Sequence, residues 1–104
     1  MASIDSGLPF VETASGTTVA TATHDAVAGT TYYITQVTVS SDQTASAAIK
    51  NGGTTIYQFR ISSPGIMTHT VNFSPALKAT TGNLVSVTIL GAASCFANIT
   101  GYEL

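Results

Sequence analysis

Residues 84–102 read LVSVTILGAASCFANITGY, nineteen positions without a formal charge. Such a run is either a membrane span or two strands on a short turn, and the choice decides the fold. A spanning helix needs about 20 predominantly apolar residues. This run instead holds Ser86, Thr88, Ser94, Asn98 and Thr100, with Gly91 near its middle, polar groups that a hydrocarbon core does not satisfy. Val85, Val87 and Ile89 alternate with Ser86 and Thr88, the period-2 pattern of a half-buried strand built from β-branched residues. Gly91-Ala92-Ala93-Ser94 supplies a turn. Beyond it Cys95, Ala97, Ile99 and Gly101 alternate with Phe96, Asn98, Thr100 and Tyr102. The stretch predicts a pair of strands, and no membrane partner.

The same signature runs through the chain. Thr and Ser make up about 28% of its 104 residues, whereas Leu, Glu, Lys and Arg, the good helix formers, are scarce. Residues 32–40 (YYITQVTVS) form a strong predicted strand, with Tyr33, Thr35, Val37 and Val39 on one face and Tyr32 on the other. Residues 45–50 follow, then Asn51-Gly52, a hairpin signal that predicts a type I′ turn. Residues 54–61 place Thr55, Tyr57, Phe59 and Ile61 together, and residues 66–73 do the same for Met67, His69, Val71 and Phe73. Residues 74–83 read as the longest connection in the second half. Residues 17–23 are a weaker strand. About seven strands, with turn signals every eight to twelve residues, predict a single all-β antiparallel sandwich over residues 17–104. Residues 1–16, with Pro9 and the two Ser-Gly breaks Ser6-Gly7 and Ser15-Gly16, predict an extended N-terminal arm, either an edge strand of the core or a segment docked on a neighbour.

Charge narrows the functional classes. Three Lys and Arg residues, Lys50, Arg60 and Lys78, are too few to neutralise a phosphate backbone, so nucleic acid is not an expected partner. Only 8% of residues are charged and the mean hydropathy is +0.34; low charge promotes association, which predicts surface buried against other subunits. Cys95 is a single cysteine in an apolar strand pattern, expected to pack as a small hydrophobe. The first residues lack the basic and apolar regions of a secretory signal, which predicts synthesis in a cytoplasm. His24, Asp25 and His69 have no metal-ligand spacing, and no nucleophile motif is present. No cofactor, no metal and no enzymatic activity are expected.

A family resemblance adds to this. YYITQVTVSS, AAIKNGG, TIYQFRISSPG, VNFSPALKATTGN and the closing NITGYEL together resemble the small β-sandwich virion proteins of tailed bacteriophages, both capsid decoration (cement) proteins and parts of tail fibres. The resemblance covers about 70% of the chain (roughly residues 32–104) and leaves out the arm. It implies a jelly-roll-like sandwich, homotrimeric, located on the virion surface and bound to the major capsid protein. On that reading Ile4, Leu8, Phe10 and Val11 of the arm, together with Tyr32, Leu84 and Leu90, are the expected subunit or capsid contacts. The alternative is a receptor- or carbohydrate-binding module of a tail or head fibre, with Tyr32 as the ring available to a sugar.

Overall fold

A computed structural model describes residues 8–42, 44–61, 67–91 and 94–104. Eight strands account for most of them: β1 (Leu8–Gly16), β2 (Val19–His24), β3 (Tyr32–Ser41), β4 (Ala45–Asn51), β5 (Thr54–Ile61), β6 (Met67–Lys78), β7 (Val85–Leu90) and β8 (Cys95–Glu103). They form two four-stranded sheets, one in the order β1-β8-β3-β6 and the other β2-β7-β4-β5. Every pairing is antiparallel. The two interleaved orders are those of a jelly roll, in which successive strands cross between sheets except at the β4–β5 hairpin. Among the described residues there is no helix.

The core lies between the sheets and is filled by alternate residues. Val85, Val87 and Ile89 of β7 face Ile34, Val37 and Val39 of β3 and Ala97 and Ile99 of β8, and all eight are fully buried. Cys95 is buried with them, its Sγ 4.0 Å from Ser41 Oγ.

Three expectations are decided or changed on meeting the fold. First, of the two readings of residues 1–16 the edge strand is the one seen from Leu8 onward: β1 pairs residue by residue with β8 from Leu8↔Glu103 to Gly16↔Cys95; Ile4 and the rest of residues 1–7 lie outside the described residues. Second, β6 does not stop at Phe73 but runs through Pro75 to Lys78. A proline is tolerated there because β6 is an edge. Third, the hairpin after β4 turns on Gly52-Gly53, since Asn51 pairs with Thr54. Of those two only Gly52 has a positive φ, 64°, the pattern of a II′ turn rather than I′.

One irregularity controls which side chains face out. Between Ile34 and Gln36 the register slips against both neighbours: Thr35 is an extra residue opposite β8, a β-bulge, and its Oγ1 donates to the Thr100 carbonyl at 3.2 Å. The bulge shifts the alternation by one. Tyr32 and Ile34 therefore join Val37 and Val39 inside, and Tyr33 turns outward. At the bulge β8 carries Gly101, where a Cβ would overlap the Tyr33 carbonyl oxygen and come within 2.9 Å of Phe10 Cζ. The close approach of β3 and β8 here requires glycine.

Candidate binding face

Tyr33, turned outward by the bulge, and its neighbours build one face of the molecule. Tyr33 of β3 pairs with Tyr102 of β8 on one side and Lys78 of β6 on the other. The two tyrosine rings stack, and Lys78 Nζ lies 6.0 Å from the Tyr33 ring centre. Alternation then places amides and hydroxyls along the same face. Gln36 Nε2 donates to Asn72 Oδ1 at 2.8 Å, Thr38 and Thr70 hydroxyls lie 3.1 Å apart, and Asn98 Nδ2 donates to Thr13 Oγ1 at 2.9 Å. Neighbouring strands sit about 4.8 Å apart, so these groups form a regular grid beside a pair of half-buried rings. Each amide and hydroxyl keeps further donor or acceptor capacity toward solvent.

The opposite sheet's outer face differs. It holds a shallow depression of about 240 Å³ lined by Ser46, Ala48, Lys50, Thr55, Gln58, Thr88 and Leu90, with no aromatic ring.

The β1–β2 edge of the sandwich contains the one histidine–carboxylate cluster among the described residues. His24 Nδ1 lies 2.8 Å from Glu12 Oε2 and its Nε2 3.3 Å from Glu103 Oε1. A ring nitrogen that carries a proton donates to the carboxylate oxygen it faces. The His24 ring stacks on Phe10 at 4.1 Å and meets Tyr32 edge-on at 4.6 Å. Tyr32 is fully buried, and its hydroxyl donates to the Asp25 carbonyl oxygen. Burial first, then the negative charges of Glu103 and Asp25, holds its phenol above the ordinary tyrosine pKa. The cluster ties β1, β2, β3 and β8 together. Among the described residues, no three of His, Cys, Asp and Glu gather as a cation would need.

The expected contact residues divide. Leu8, Val11 and Leu90 are exposed, by 67%, 60% and 56%, Leu84 is half-buried, and Ile4 lies outside the described residues. Phe10 and Tyr32 are core residues, which corrects their assignment to a contact or sugar-stacking role: the Thr35 bulge turns Tyr32 inward, and Phe10 caps the core beside His24. The ring that faces out is Tyr33. His69 is exposed at the β6 edge, 5.0 Å from Phe59.

No protein family and no curated sequence matches this chain. Solved structures similar in strand arrangement include the CBM36-1 domain of a multidomain xylanase from the hindgut metagenome of Trinervitermes trinervoides. That domain is 16% identical, with 91% of this chain and 94% of the domain covered and a TM-score of 0.44. A CBM36 carbohydrate-binding module in complex with calcium and xylotriose is 13% identical over 85% of this chain and 76% of the module, TM-score 0.39. The TmCBM61 structure in complex with β-1,4-galactotriose is 15% identical over 92% of this chain and 68% of that one, TM-score 0.40. The likeness is one of all-β, two-sheet architecture and is no guide to a ligand. Of the resemblance stated from the sequence, the structure bears out the jelly-roll-like sandwich.

Proposed function

We propose that this chain is a binding module, without catalysis, that takes a neutral oligosaccharide on the outer face of the β1-β8-β3-β6 sheet. The observation that carries this reading is the outward Tyr33–Tyr102 pair set beside the Gln36–Asn72, Thr38–Thr70 and Thr13–Asn98 pairs. A sugar ring presents C–H groups that pack on an aromatic surface and hydroxyls that both donate and accept, as amide and hydroxyl side chains do. Lys78 is the one formal charge among the outward-facing residues of these four strands, which suits a neutral ligand better than a polyanion. A glycan array followed by calorimetry tests the reading. Binding that falls at least tenfold in Tyr33→Ala or Tyr102→Ala, with the fold intact, supports it, and a wild-type protein that binds nothing on the array overturns it.

A capsid decoration subunit is the second reading, favoured by the exposed apolar side chains of Leu8, Val11 and Leu90. It expects the chain to be retained on purified phage heads through protein contacts with the major capsid protein. Co-sedimentation with heads separates the two readings: retention that survives Tyr33→Ala but is lost in Leu8→Ser/Val11→Ser belongs to this one.

A further inference from the structure

The charges of the described residues are sorted between the two sides of the sandwich. All three of its Lys and Arg residues lie on β4, β5 and β6, as Lys50, Arg60 and Lys78. Glu12 lies on β1, Glu103 on β8, and Asp25 directly follows β2, while Asp42 follows β3 in the middle of its sheet. Strands β5 and β6 carry no Asp or Glu, and β1 and β2 carry no Lys or Arg. Among the described residues each of these four strands has a neighbour on one side only, leaving a row of backbone N–H and C=O groups able to pair with another strand.

Both sides also show apolar surface. On the β1–β2 side Leu8, Val11 and Val19 are 67%, 60% and 44% exposed. On the β5–β6 side Tyr57 is 39% exposed, and rings bridge the gap between the sheets, Tyr57 to Phe73 at 5.3 Å and Phe59 to His69 at 5.0 Å.

We propose that the β5–β6 edge of one copy receives the β1–β2 edge of a second copy, head to tail. Strand direction permits this without any turn of the molecule. Directions alternate across both sheets, so a copy set alongside brings its β1 antiparallel to β6 and its β2 antiparallel to β5. Both sheets then continue across the junction. Lys78 and Asp25 lie at the same end of the sandwich, since the Ala79 N–H donates to the Tyr32 carbonyl and the Tyr32 hydroxyl donates to Asp25. Setting copies side by side brings Lys78 level with Asp25 of the second copy. Such a contact uses two different surfaces, so it does not stop at two copies but closes a ring or grows a filament. The inference rests on neither functional reading above.

Light scattering of the full chain at low salt, against two charge-reversed variants, tests it. Wild type is expected at a mass of three or more 10.6 kDa chains. Arg60→Glu/Lys78→Glu, and separately Val11→Lys/Asp25→Lys, are each expected to fall to one chain with unchanged β-sheet circular dichroism. An equimolar mixture of the two is expected to reassociate, because each reversed edge now meets an oppositely charged one. A monomeric wild type, a mass that neither variant moves, or a mixture that stays dispersed overturns the proposal. If a double variant fails to fold, the singles Arg60→Glu and Asp25→Lys, both at exposed positions, carry the same test.

Discussion

The rings of Tyr33 and Tyr102 stand 5.0 Å apart and within 8° of parallel, on residues that are direct cross-strand partners of β3 and β8. Tyr33 would not face outward beside Tyr102 without the extra residue at Thr35. A backbone irregularity therefore sets the chemistry of a whole surface.

Replacing either ring separates binding from stability. A stacked aromatic pair contributes about 0.5–1.5 kcal/mol beyond its burial. Tyr33→Ala is thus expected to lower stability by about 1 kcal/mol and glycan affinity at least tenfold, while Tyr33→Phe keeps the stack and most of the stability. Urea unfolding and calorimetry read the two effects.

Gly101→Ala is expected to be among the most damaging single substitutions. Its methyl would overlap the backbone oxygen of Tyr33 and crowd Phe10, and backbone has little room to yield. A loss of about 3 kcal/mol follows from overpacking of this kind, visible as a drop in the urea midpoint at constant slope.

Alkaline pH acts through Tyr32. Its phenol ionises in the unfolded chain near pH 10 but only at higher pH in the folded one, because burial and the charges of Glu103 and Asp25 oppose the phenolate. The stability this difference contributes is complete below about pH 10 and is lost as pH rises toward the folded value. Tyr32→Phe should weaken that alkaline decline, at the cost of the hydrogen bond to the Asp25 carbonyl. Melting temperatures of the two proteins between about pH 8 and pH 11 make the comparison.

His24→Ala removes a ring stacked on Phe10 as well as two partly screened polar contacts. The expected loss is about 1–2 kcal/mol. Glu12→Gln leaves the stack in place at a half-exposed pair and should cost about 0.5 kcal/mol. A larger effect for Glu12→Gln than for His24→Ala would show that charge, not ring packing, ties β1 to β2 here.

Much of the sandwich is legible in the alternation of residues. Val85, Val87 and Ile89, and Cys95, Ala97 and Ile99, face inward as their spacing says, and Tyr57, Phe59 and Ile61 share a face. The phase of β3 misleads, because Tyr32 and Ile34 belong with Val37 and Val39 only if one residue between them drops out of register. The three-residue interval from Ile34 to Val37 is the trace of that slip, and nothing local distinguishes it from chance. A similar slip between Ile49 and Lys50 separates Thr55 from Tyr57. The Tyr33–Tyr102 pair was out of reach for the same reason, since it joins residues 69 positions apart through a register that only the assembled sheet defines. The breaks at Pro9 and Gly16 left β1 legible only as an edge strand or a docked arm, because its nine pairings with β8 are equally remote in sequence.

The position of β8 sets an order on folding. It is the last strand in the sequence yet lies between β1, the first, and β3. A growing chain can form the β4–β5 hairpin early, but β1 has no neighbour in its sheet until Cys95–Glu103 emerges. Completion of that sheet therefore waits for β8, and it is dominated by contacts of high sequence separation that slow all-β folding to milliseconds or longer. During that wait β1 and β3 are both open to the wrong strand, so the yield of native protein depends on how quickly the last nine-residue strand finds the gap between them.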